Sequence, residues 1–174
     1  SAADVLTMNT GATAPEWAAA AGGGKIGQVL SAETTDTATY GTQSFADVTG
    51  LTIDITPAAT TSKILVMTDI SLGVTTNYGV MIRLVRDSTA IHVGDAAGSR
   101  QQASKATILY HGATAFSFNA IYLDSPSTTS ATTYKVQWLA EAGSAIYRGR
   151  SANDNDNTYT GRTADSITVM EVLA

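Results

Sequence analysis

The chain has no cysteine, and this one absence removes disulfide staples, thiolate catalysis and cysteine-held zinc together while leaving the redox compartment open. Charge is scarce: 14% of residues are Asp, Glu, Lys or Arg, about half the usual share. Ten basic residues against fifteen acidic ones leave a net charge of -5. A surface that tracks phosphates needs clustered Lys and Arg, so nucleic acid is not an expected partner. No run approaches the roughly 18 apolar residues that span a bilayer. Residues 18–24 are too short and too glycine-rich for the apolar region of a signal peptide. Membrane insertion is not expected.

What is present is apolar and β-forming. Hydrophobic residues make up 44% of 174, and much of the rest is Thr, Ser, Gly and Asn, a composition far from that of a disordered chain. This length supports one domain with a real core and an appendage, rather than two ordinary domains.

The appendage is residues 1–24, read as an extended attachment or linker segment, and the domain is residues 25–174. The triplet Gly22-Gly23-Gly24 is a joint. Upstream of it Val5, Leu6, Pro15 and Trp17 sit where nothing local can bury an apolar group. Such a segment is expected to pack on another chain or along a stalk, the alternative being a strand tucked onto its own domain.

From Lys25 onward alternation of period two dominates. In 62–72 it puts Ile64, Val66, Ile70 and Leu72 on one face with Asp69 and Ser71 on the other. The same period places Tyr78, Val80, Ile82 and Leu84 together, then Phe116, Phe118, Ala120 and Tyr122, then Tyr134, Val136 and Trp138. In the last segment Ile167, Val169, Glu171 and Leu173 share a face, with Glu171 the odd member. Shorter strands are predicted at 26–31, 51–55, 90–93, 107–110 and 144–148, and no helix. Turn chemistry separates them at Thr49-Gly50, Pro57-Ala58, Asn77, Asp87, Gly94-Asp95, Gly112, Asp124-Ser125-Pro126 and Gly143. Many short strands at even spacing predict an all-β antiparallel sandwich, jelly-roll-like, because a parallel sheet would need amphipathic helices between strands.

Several stretches form an ordered series: Tyr122-Leu123-Asp124-Ser125-Pro126, a Thr/Ser turn, then Thr133-Tyr134-Lys135-Val136-Gln137. After these come Ile146-Tyr147-Arg148, the run Asn153-Asp154-Asn155-Asp156-Asn157, Arg162, and Ser166-Ile167-Thr168-Val169-Met170-Glu171. The series resembles the C-terminal tip domain of tailed-bacteriophage fibres and related virion appendages. Upstream, Val5-Leu6-Thr7 leading to Gly11, Pro15 and Trp17, and Ser62 to Val66 with Leu84 to Thr89, resemble the lead-in and front strands of the same domain. Arg148-Gly149-Arg150 departs from the pattern, which has an Asn before the second Arg.

The resemblance implies a homotrimeric tip on the surface of a virion. Its loops would touch a host-surface glycan or protein, and residues 1–24 would join it to other virion proteins. A capsid decoration or head-fibre protein anchored by the same segment is the close rival, and a cellular lectin-like adhesion module a more distant one. Apolar residues on both faces of one strand, Leu65 and Met67 opposite Ile64 and Val66, give more apolar surface than one small core needs, and a three-fold interface would bury the surplus.

Around the Asn/Asp run stand Tyr147, Arg148, Arg150, Asn153, Asp154, Asp156, Tyr159 and Arg162. Aromatic and Arg side chains among adaptable Asn and Asp suit glycan or protein recognition. The bland reading is a solvated turn-rich loop. As a calcium loop the run lacks the glycine and the distal bidentate Glu. His92 and His111, the only imidazoles, have no metal-binding spacing. No metal or cofactor is expected, and no nucleophile elbow or phosphate-binding loop supports catalysis.

Overall fold

The computed structural model describes residues 4–8, 15–19, 25–75 and 77–173, the first two stretches through their backbone pairing. Strands β1 (Asp4–Met8) and β2 (Pro15–Ala19) pair antiparallel as a sheet of their own, with Leu6 opposite Trp17. The side chains of Val5, Leu6, Pro15 and Trp17 lie outside the described residues. The rest is an all-β sandwich with no helix among the described residues.

The first sheet contains β3 (Ile26–Thr34), β4 (Ala38–Tyr40), β6 (Lys63–Val74), β10 (Ala115–Asp124), β12 (Ile146–Arg148) and β13 (Asp165–Val172). Strand β6 is its spine: β10 lies along one edge, while β13 and then β12 share the other. β3 pairs with the far side of β13, and β4 with β12. The second sheet contains β5 (Ala46–Ile55), β7 (Tyr78–Arg86), β8 (Thr89–Ile91), β9 (Lys105–Leu109) and β11 (Thr132–Ala140). Its order is β5-β11-β7, with β8 and β9 sharing the outer edge of β7.

The alternation explains the core. Ile64, Val66, Ile70 and Leu72 of β6 and Ile167 and Val169 of β13 are fully buried against Val80, Ile82 and Leu84 of β7 and Tyr134, Val136 and Trp138 of β11. Each such burial contributes roughly 1.5–3 kcal/mol. Tyr40 of β4 stacks on Trp138 at 5.4 Å, joining the sheets at one end.

Two sequence expectations change. Thr49-Gly50 is not a turn between strands; β5 runs through it as a bulge, with Gly50 at φ +86° and the pairing with β11 shifting between Lys135 and Gln137. Four residues, Val48 to Leu51, lie opposite Val136 alone, and the left-handed Gly50 lets the chain take up the excess with both Val48 and Leu51 buried. Phe116 does not join Phe118 in the core but stays 46% exposed near the start of β10. The turns at Asn77, Asp87 and Gly143 do adopt the left-handed backbone that Asn, Asp and Gly tolerate best.

Candidate functional site

Two buried polar clusters brace the sandwich, and both use residues from the ordered motif series. Asp124, at the end of β10, accepts two hydrogen bonds from Arg86 Nη1 (2.9 and 2.8 Å) and one from the Tyr134 hydroxyl (2.6 Å). The first sheet is thereby fastened to two strands of the second. Burial, together with the hydrogen bond to Asp124, pushes the Tyr134 hydroxyl far above its ordinary value.

Arg148 is the second brace. Its guanidinium donates to the Thr49 carbonyl, to the Asp36 carbonyl (2.9 Å) and to Thr34 Oγ1 (3.2 Å). Nε lies 3.5 Å from Asp165 Oδ2, which has no hydrogen-bond partner of its own among the described residues. Asp165 Oδ1 accepts the Ser71 amide at 2.7 Å. Desolvation drives the Asp165 carboxyl upward, opposed by that amide and by Arg148. Arg148 is 2% exposed and therefore unable to touch a receptor, which corrects its reading as a recognition residue. It lies on the core-facing side of β12, beside Leu72.

Glu171, the odd member of its strand, is buried for a similar reason. Oε1 accepts the Ala58 amide (2.6 Å) and Oε2 accepts Gln28 Nε2 (3.0 Å), so the carboxylate closes the turn before β6. Desolvation acts to raise its carboxyl, but these hydrogen bonds prevail and hold it below the ordinary range.

The remaining recognition candidates do come together, in the loop between β12 and β13. Gly149, at φ +71°, turns the chain, and residues 150–152 fold back over Gly73 of β6. A Cβ at Gly73 would sit 2.6 Å from the Arg150 carbonyl, so only glycine admits this crossing. Arg150 lies over the Tyr147 ring at 4.4 Å and 3.5 Å from Asp154 Oδ2, while Arg162 donates to Asp154 Oδ1. Asp154, at φ +49°, thus sits between two guanidinium groups. Arg162 chiefly holds its carboxyl below the ordinary range, with Arg150 assisting. The Asn153 amide donates to the Gly112 carbonyl (2.8 Å), and the Tyr159 amide to Asn157 Oδ1 (2.9 Å). Tyr159 is 97% exposed, and Asn153 and Asp156 are also at the surface.

Beside this loop is a hollow of about 100 Å³ bounded by Ser151, Tyr159, Thr160 and Ala113. Two larger clefts were not anticipated from the sequence. One, of about 530 Å³, lies on the outer face of the second sheet between Met81, Ile108, Leu139 and the Ser99–Gln101 loop. The other, of about 630 Å³, opens between β8 and the end of β10 beside Arg86 and Asp124; there His92, at φ +53°, stacks on Tyr122 at 4.9 Å. Only the pairing of distant strands creates these clefts, and no local pattern signals them. His111 lies at the surface in the turn before β10. Among the described residues no group of three or more His, Asp or Glu could hold a metal ion.

The fold and this loop define an antiparallel β-sandwich that displays a braced, surface-exposed aromatic. No family model matches the chain, and no curated protein does. Among solved structures it is similar to a chain of infectious bursal disease virus Gx strain, at 12% identity and TM-score 0.31, over 98% of this chain and 47% of that one. It is similar to a chain of the infectious bursal disease virus VP2 subviral particle at 11% identity and TM-score 0.33, over 99% and 47%. The chain spans about half the length of these two structures. Likeness at that level decides neither architecture nor activity.

Proposed function

We propose that this chain is a non-enzymatic structural module of a virion, more narrowly the homotrimeric tip of a bacteriophage tail fibre that attaches the particle to its host. The observation that carries this reading is Tyr159, 97% exposed at the crest of a loop whose base is cross-braced by Arg150, Asp154 and Arg162. A single exposed aromatic is ordinary; the support lies in its being held on a braced loop, where its ring offers an apolar face and its hydroxyl a hydrogen bond to a partner. Bracing before contact spares the ordering entropy that a flexible loop would lose on binding. The partner is a host-surface glycan or protein, met by Tyr159 with Asn153 and Asp156 alongside.

The ordered motif series supports the family reading in a particular way. Asp124, Tyr134 and Arg148 are fastenings of the sandwich, so the resemblance follows the scaffold, and the loop is left free to differ with the receptor. A capsid decoration protein held by residues 1–24 is the second reading, favoured by the separate β1-β2 hairpin.

Particles labelled at the C-terminus of this chain and viewed by electron microscopy separate the two readings. Label at fibre ends is expected; label on the capsid shell overturns the fibre reading. Tyr159→Ala with Arg162→Ala should reduce adsorption to host cells at least tenfold while leaving particle assembly intact. Unchanged adsorption removes this loop from the attachment site.

A further inference from the structure

The two outer faces of the sandwich are dressed differently. The second sheet carries a polar lattice across β5, β11 and β7, where Lys135 pairs with Asp47 at 2.7 Å, Gln137 bonds both Asp47 and Arg83, and Thr133 bonds Asp54; its outward apolar residues Met81, Ile108 and Leu139 gather in a cleft. The first sheet carries apolar rows. Leu123, Leu65, Met170 and Val29 stand side by side across β10, β6, β13 and β3, and Ile121 and Met67 begin the next row. Ile121 is 65% exposed, Val29 52%, Ile26 47% and Leu123 45%. Scattered exposed apolars need no explanation, but a contiguous patch does.

Charge lies at the two ends of this face. Lys63 flanks Val172 at one end, while Asp69 and Glu33 flank Ser166 at the other. None of the three belongs to an ion pair among the described residues. Alongside, β10 has no strand on its second edge among the described residues, and from Ala115 to Leu123 it has no charge, no proline and no bulge in its pairing with β6. Those are the devices by which proteins keep an open edge from pairing.

We infer that this face is where one copy of the chain meets the next, with the apolar rows at the centre and the Lys63 end of one copy against the Asp69 and Glu33 end of its neighbour. The inference rests on the homo-oligomer reading above and assigns it a surface. The occupant is a second copy because the face is complementary to itself: six residues, about 20 Å of strand, separate its basic end from its acidic end. Copies related head to tail satisfy both ends, and such a contact makes a ring where its rotation closes.

Light scattering on the purified chain tests the reading and the inference separately. Wild type should give a multiple of 18.0 kDa at micromolar concentration; a mass of 18.0 kDa overturns the oligomer reading and this inference with it. Ile121→Glu with Leu123→Glu, both at outward positions, should give the monomer mass with an unchanged far-ultraviolet circular dichroism spectrum. An oligomer of wild-type mass overturns the inference and leaves the oligomer standing. Should that variant not fold, Ile121→Cys keeps the test open, since the chain has no other thiol. Its maleimide labelling should be at least tenfold slower than that of the exposed control Thr35→Cys in the oligomer, and equal rates overturn the proposal. Asp69→Lys should weaken association, and adding Lys63→Glu should restore it.

Discussion

Arg148→Ala removes the guanidinium that joins β12, the β3-β4 connection and β5. The Asp165 carboxylate then loses the cation 3.5 Å from its Oδ2, an oxygen with no hydrogen bond to fall back on. Breaking a buried pair from one side costs about 3–5 kcal/mol, because the surviving charge stays buried. For a small domain with a urea slope of about 2 kcal/mol/M, that lowers the midpoint by roughly 1.5–2.5 M. Asp165→Asn should cost less. It keeps an acceptor for the Ser71 amide, leaves Arg148 its carbonyl partners, and removes a carboxyl that burial already disfavours as an anion; the loss is about 1–3 kcal/mol. The assay is urea unfolding followed by circular dichroism, at one fixed protein concentration because association would shift the midpoint. An Arg148→Ala midpoint within about 0.5 M of wild type, or a larger loss for Asp165→Asn, would refute the account of this brace.

Tyr134→Phe removes the hydroxyl donor to Asp124 Oδ2 without altering the ring's packing, and urea unfolding should register a loss of about 1.5–3 kcal/mol. Tyr159→Phe, at the exposed crest, should stay within about 0.5 kcal/mol of wild type in the same assay. Glu171 titrates lower in the fold than in the unfolded chain, so its contribution is present above the unfolded value and is lost as pH falls through the folded one. Glu171→Gln should therefore be less stable than wild type at neutral pH, with the gap closing under acid, as thermal melts across pH would show. Gly73→Ala sets a Cβ against backbone at Arg150, Ser151 and Ala152. It should cost about 1–3 kcal/mol and speed proteolysis within residues 150–163.

The strands that bury one clean face were legible because period two is written directly in residues such as Ile64, Val66, Ile70 and Leu72. Their exceptions were not. Glu171 occupies an inward position that looks like an error until the Ala58 amide and Gln28 are brought to it by the β5-β6 turn and by β3. Arg148 follows an aromatic and precedes a glycine, a surface-loop pattern, and only the sheet register turns it inward beside Leu72. The short strand β4, Ala38–Tyr40, lies in a Thr-rich stretch with too few residues for alternation to show. For the loop, composition pointed to Tyr159 and Arg162, but the bracing of Asp154 by Arg150 and Arg162 depends on the path forced by Gly73. The apolar outer face of β3, β13, β6 and β10 was legible only as a surplus of apolar residues.

The position of β13 has a consequence for synthesis. It is the last of the described strands, yet it lies between β3, the first strand of the sandwich, and β6. A nascent chain on the ribosome can make every other strand and still leave a gap in the sheet, with Arg148 lacking the Asp165 that balances it. Contacts that span nearly the whole sequence form slowly and late. A chain lacking β13 would leave the edge of β6 unfilled and open to proteases and aggregation.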